Sequence, residues 1–229
     1  MIKKLIILLS LFPLCLLSQS MVFSGVEGNI VHKLSSIIIK QAYANIAIEA
    51  KILFLPAERA LHHSNGGLVD GELSRIKRLY KQYPNLLLVP VAMNSVQAAV
   101  YTHNNTISIK SWNDLKPYKL AIVKGIKFIE KGTKGQNPFV VSQFSIAFDM
   151  LLANRVDIVV IPKLTGDTLM TKSRYKKIKR LDIVLKKLAL YHFLHKKNRK
   201  ILPKITQSLQ KMSASGELTL IRNKFISEH

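Results

Sequence analysis

Short apolar runs alternate with amphipathic stretches along nearly the whole chain, and this alternation narrows the fold more than any other feature. Ile30, Leu34, Ile37, Ile38 and Ala42 recur at helical spacing, and Asn45 follows as a candidate left-handed stop. Ile48, Ala50, Ile52 and Phe54 then take every second position, as in a strand. Pro56 suits the first turn of a helix, Glu58 favours its positive end, and Asn65-Gly66-Gly67 closes it. A short strand is expected over 68–73, with Ser74 capping a basic helix that runs to Tyr83. Further strands are expected over 86–91, 96–101, 120–123, 156–161 and 183–194. Ser111 to Asp114 reads as a capping box, and Ser142 precedes a helix with Phe144, Ala147, Phe148, Leu151 and Leu152 on one face. A helix starts at Thr165, and two more close the chain, broken at Gly216. Helices interleaved with short apolar strands predict α/β layers. No internal repeat or low-complexity linker is present.

The start of the chain reads differently. Lys3 and Lys4 precede a thirteen-residue run from Leu5 to Leu17, and Ser18-Gln19-Ser20 supplies a small-residue end. That is the pattern of a secretory signal peptide over 1–20, and the run is shorter than the roughly 20 residues of a membrane-spanning helix. The single cysteine, Cys15, would leave with it, so the remainder holds no disulfide, which suits an oxidising compartment.

Leu55-Pro56-Ala57-Glu58-Arg59-Ala60-Leu61 is followed by Gly67-Leu68-Val69-Asp70-Gly71-Glu72-Leu73-Ser74-Arg75. Then come Tyr83-Pro84-Asn85-Leu86, Ser111-Trp112-Asn113-Asp114-Leu115, Asn154-Arg155-Val156-Asp157, Tyr191-His192-Phe193-Leu194-His195 and Gly216-Glu217-Leu218. In this order the segments resemble family three of the bacterial periplasmic solute-binding proteins, the amino-acid-binding-like receptors of ABC transporters. The resemblance implies a two-lobe, type II periplasmic-binding fold. Lobe one would be 21–92 plus 188–229, lobe two 93–187, with a hinge near Ala92-Met93 and Lys187-Leu188. It also implies a small polar, anionic solute held between the lobes by hinge closure, without chemistry, and delivery to an inner-membrane transporter. Such proteins open with a strand and a ligand-contacting loop. Only Met21 to Gly28 precede the first helix here, so lobe one is expected to lack that strand. Where amino-acid binders carry an aspartate for the ligand amine, this chain reads Ile161-Pro162-Lys163.

Six residues stand out as candidate ligand contacts. Arg59, one turn into its helix, is either a two-pronged carboxylate clamp or an exposed helix charge. Glu72 and Arg75 follow Gly71 near a strand end, where open α/β sheets bind ligands, or they form a surface ion pair. Asn94 sits at the hinge, and its amide suits ligand or backbone. Tyr101 offers a stacking surface or core packing, as does Tyr191. Gly125 ends a strand ahead of a helix-like segment whose free N–H groups suit an anion, or it simply makes a turn.

His62-His63 and His192-x-x-His195 point to different sides of their elements, so no metal site is expected, and no cofactor is implied. There is no Gly-x-Ser-x-Gly elbow and no phosphate loop, which favours binding over enzymatic turnover. Lys and Arg number 35 against 13 acids, a net charge of +22, and thirteen of the basic residues fall in 172–204. Such a field attracts anions. A second reading is therefore a non-transport envelope protein with a degenerate cleft, holding anionic lipid, lipopolysaccharide or a protein through its basic face. No nucleic-acid recognition motif is present, and a monomer is the simplest expectation.

Overall fold

The computed structural model describes residues 19–228 and shows a mixed α/β fold of two lobes built on a single eight-stranded sheet, with strand order β2-β1-β3-β8-β4-β7-β5-β6. The expected leader lies outside the described residues as far as Leu17 and Ser18. Gln19 and Ser20 already belong to the sheet.

Lobe one opens with β1 (Gln19–Val26), α1 (Ile30–Ala44), β2 (Ile48–Leu55), α2 (Ala57–Asn65) and β3 (Gly71–Ile76). β1 lies between β2 and β3 and is parallel to both. This corrects the expectation of a missing first strand. Ser24 and Gly25 hide the strand in the sequence, because they break the apolar pattern. A strand paired on both sides has its backbone satisfied and tolerates them. Gly25 lies close against Leu73 and Phe54, and Ser24 joins a buried polar network. The expected strand over 68–73 and basic helix from Ser74 are likewise displaced. β3 carries Ser74 and Arg75 within it because it pairs with β1 and, antiparallel, with β8 (Lys179–His195). Only a short 3-10 turn, Lys77–Lys81, follows. The left-handed residue after α1 is Ala47 rather than Asn45.

The expected strands 86–91 and 96–101 merge into β4 (Leu86–Thr102), which pairs with β8 along nearly its full length. Register irregularities fall between Leu88 and Ala92 and between Ala92 and Asn94, where a bulge bends a strand. Lobe two adds β5 (Leu120–Val123), α3 (Lys127–Gly132), β6 (Phe139–Val141), α4 (Phe144–Leu152), β7 (Ile158–Pro162) and α5 (Lys163–Met170). The chain closes with α6 (Leu202–Ala214) and α7 (Glu217–Ser227), separated by Gly216 at positive φ.

The two largest apolar cores among the described residues lie on either side of the β4–β8 crossing. One packs Phe23, Leu34, Ile38, Ile39 and Tyr43 against Leu209 and Met212 of α6. The other packs Val100, Ile122, Val159 and Val160 against Phe148 and Leu151 of α4. Val26 and Ala57, from the first half of the chain, pack into this second core. No helix among the described residues is long and apolar enough to cross a membrane.

Candidate ligand cleft between the lobes

The carboxyl ends of β1, β3, β5 and β7 converge on one region, the usual place for a ligand in an open α/β sheet. A cavity of about 40 Å³ lies there. Asn29, His32, Ser74, Arg75 and Lys127 contribute its polar lining. Val96, Phe128 and Leu190 are among its apolar walls.

Turns at Gly28 and Gly125, with β3 between them, bring these side chains together. Gly28, at φ +66°, lets the chain leave β1 and enter α1. Asn29 caps α1, accepting from the Val31 N–H at 3.0 Å, and also accepts from Thr165 Oγ1 of α5 at 3.0 Å. His32, one turn in, accepts from the Val26 N–H through Nδ1 at 3.1 Å. That bond requires a lone pair on Nδ1, so the neutral ring carries its proton on Nε2. Burial, then the Arg75 charge, hold the His32 pKa well below the usual histidine value. The Nε2–H has no acceptor among the described residues.

β3 supplies the next pair. The Glu72 carboxylate is fully buried and accepts from Ser24 Oγ at 2.8 Å, Ser64 Oγ at 3.0 Å and Arg75 Nε at 2.7 Å. The Arg75 guanidinium also donates to the carbonyls of Ala57, at 2.9 Å, and Gly125, at 3.1 Å. It is a strut between the lobes, with all three nitrogens engaged. Ser74, between them, is completely buried, and its hydroxyl has no partner among the described residues.

The turn after β5 provides the opposing wall. Gly125 sits at φ +84°, and a Cβ there would lie 2.6 Å from the Glu58 backbone nitrogen, so the turn rests directly on the start of α2. Its N–H donates to Glu130 and so is taken, and α3 is a short helix. Lys127 bonds Glu58 of α2 at 2.7 Å and Glu130 at 3.2 Å. Burial opposes its charge, yet these bonds hold its pKa above that of a free lysine.

The six sequence candidates therefore separate. Arg75 lines the cavity, Glu72 braces it from behind, and the Gly125 carbonyl anchors Arg75 without itself lining the cavity. Arg59 is exposed, away from the cavity. Asn94 bonds Ser35 Oγ of α1 at 3.3 Å and the Ser95 N–H at 2.8 Å, beside the strand crossing. Tyr101 is buried in lobe two against Phe148 and donates to the Lys163 carbonyl at 2.7 Å. His32, Ser74, Lys127 and Phe128 were not anticipated. Their sequence signal was the Asn29-x-x-His32 spacing just after a strand-ending glycine. Ser74 was masked by its plausibility as a helix cap.

Within the basic segment, Arg174 pairs with Asp149, Arg180 with Asp167 at 3.0 Å and Lys197 with Asp70 at 3.2 Å. Part of that charge is therefore built into the fold.

No family model matches the chain. An uncharacterized protein of Shewanella oneidensis is 26% identical over 191 residues, covering 80% of this chain and 72% of that one. Among solved structures, a histidine kinase sensor domain with similarity to periplasmic binding proteins superposes with a TM-score of 0.78 at 13% identity, covering 90% of this chain and 95% of that one. A mutant of ArgBP from T. maritima gives 0.76 at 15% identity, over 91% and 95% of the two chains. The substrate-binding protein of an amino acid ABC transporter gives 0.72 at 16%, over 91% and 99%. At these identities the likeness establishes the fold: this chain has the architecture of the periplasmic binding proteins.

Proposed function

We propose that the chain is a periplasmic, family-three-like solute receptor that closes over a small neutral solute carrying an oxygen acceptor and an apolar body, such as an alcohol, amide or lactone. The lobes divide as 21–92 plus 188–229 and 93–187, hinged at the β4–β8 crossing, and the chain hands its solute to a membrane protein. The observation that carries this reading is the buried, unpartnered Ser74 hydroxyl in the cavity wall. An unsatisfied buried polar group costs about 1–3 kcal/mol, and a solute oxygen meeting Ser74 and the His32 Nε2–H would remove that cost. Charge balance turns the reading from an anion to a neutral molecule. Arg75 is neutralised by Glu72, and Lys127 by Glu58 and Glu130, so no cation is left over for a carboxylate. The absence of an acid at Ile161-Pro162-Lys163 argues equally against an amine. A solute larger than the cavity enters only as the Arg75–Gly125 and Lys127–Glu58 bonds open.

The test is a thermal-shift panel of small neutral, acidic and amine solutes. Binding stabilises by RT ln(1 + [L]/Kd), so a neutral oxygen-bearing member should raise Tm. Stabilisation by acids alone, or by nothing, would overturn the reading. A second reading has one observation in its favour. The lobes are joined through the protein's own groups, with each nitrogen of Arg75 bonded once, as suits an envelope protein whose cleft is structural and whose work lies on its surface.

A further inference from the structure

β3 ends at Ile76, which pairs with Leu190 of β8. Over 179–189, β8 has β4 on one side and no strand on the other among the described residues. That stretch is a free sheet edge with unpaired backbone N–H and C=O groups. A groove of about 880 Å³ lies where β3 would continue if it were longer, bounded by Lys186 and Leu188 of the edge, the 3-10 turn after β3, and α3. Its rim carries Arg78, Lys81, Lys131, Lys134 and Lys186, none in an ion pair among the described residues. The Glu130 carboxylate in its wall is already bonded to Lys127. Phe128 and Trp112 give it an apolar floor.

We propose that this groove docks an extended acidic segment of a partner protein, which adds to the free edge of β8 as a new strand. The backbone edge supplies hydrogen bonds, alternate side chains reach the apolar floor, and acidic side chains meet the cationic rim. A second copy of this chain is a poor occupant. Edge-to-edge pairing would set Lys179, Arg180, Lys186 and Lys187 of one copy against those of the other. The groove shares Ile76, Leu79, Lys127 and Phe128 with the cleft cavity, so the segment is titrated with no solute present and its outcome is read apart from the thermal-shift panel.

The probe is a fluorescein-labelled ten-residue peptide of alternating Glu and Val, titrated into the full chain and followed by anisotropy. Saturable binding is expected, weakened about tenfold or more when Lys131→Glu and Lys134→Glu are combined, two exposed changes, one on α3 and one just beyond it. A peptide of equal charge with proline at alternate positions cannot form the strand ladder and should bind about tenfold more weakly or worse. Equal affinity for the proline peptide would reduce the groove to simple charge attraction and overturn the proposal. Failure of the Glu-Val peptide to bind, while anionic phosphatidylglycerol vesicles or single-stranded DNA do, would overturn it as well.

Discussion

The two walls of the cleft are built on different principles. On the lobe-one side, Glu72, Arg75, Ser24, Ser64 and His32 form a buried polar assembly in which a charged pair is bonded almost completely. On the lobe-two side, a glycine turn and apolar residues press against it, and the charged groups, Lys127 and Glu130, sit nearer to solvent. The first wall is costly to disturb, because a buried charge that loses its partner is left in a low-dielectric interior. The second is cheap to move, since half-exposed ion pairs are worth little. The proposed receptor role, which needs a specific site that can still open, accords with this division.

The comparison breaks first at Glu72. Glu72→Ala leaves Arg75 buried without its carboxylate and leaves Ser24 and Ser64 only their backbone carbonyl acceptors. Urea denaturation should show a loss of about 3–5 kcal/mol, or failure to fold. A loss below about 1 kcal/mol would mean that the polar wall is not the rigid one.

The next largest effect is on pH dependence, again in lobe one. His192 is fully buried between Phe23 and Tyr43, and burial pushes its pKa down to about 4 from 6.5. Its Nδ1–H donates to the Leu73 carbonyl at 3.3 Å, and Nε2 accepts from the Tyr43 hydroxyl at 3.0 Å. The unfolded chain takes up this proton between pH 6.5 and 4 while the folded chain does not. Stability is therefore full above 6.5 and falls by roughly 3 kcal/mol as pH drops to 4. His32, depressed in the same direction, adds to the slope. Denaturation at a series of pH values measures it, and His192→Asn should flatten it.

Gly125→Ala sharpens the contrast from the other wall. The positive φ and the contact with α2 should cost about 1–3 kcal/mol. They should also open the lobes, seen as a larger radius of gyration by small-angle scattering. The smallest effect belongs to Lys127→Ala, about 1 kcal/mol or less, with solute affinity changed more than stability.

The sequence conveyed the alternation of elements well, and with it the fold, because the apolar faces of β5, α4 and α6 follow simple periods. It concealed β1 and β3, whose serines, glycines and charges look unlike strand residues until neighbours on both sides satisfy them. The cleft was half legible. Glu72, Arg75 and Gly125 stand out as polar or flexible residues at strand ends. Which of Arg75's nitrogens are already bonded is decided by Ala57 and by Gly125, 50 residues onward, and no local pattern records that. Tyr101 shows the converse: a side chain suited to stacking on a ligand was claimed by the core.

The most direct measurement is a crystal structure of the chain soaked with the strongest stabilising solute from the thermal-shift panel, paired with the same titration on Ser74→Val. Density for the solute between the lobes, its oxygen within hydrogen-bond reach of Ser74 Oγ and His32 Nε2, with affinity lost in the variant, is the predicted result. Solute bound elsewhere, or unchanged affinity in Ser74→Val, would contradict the account.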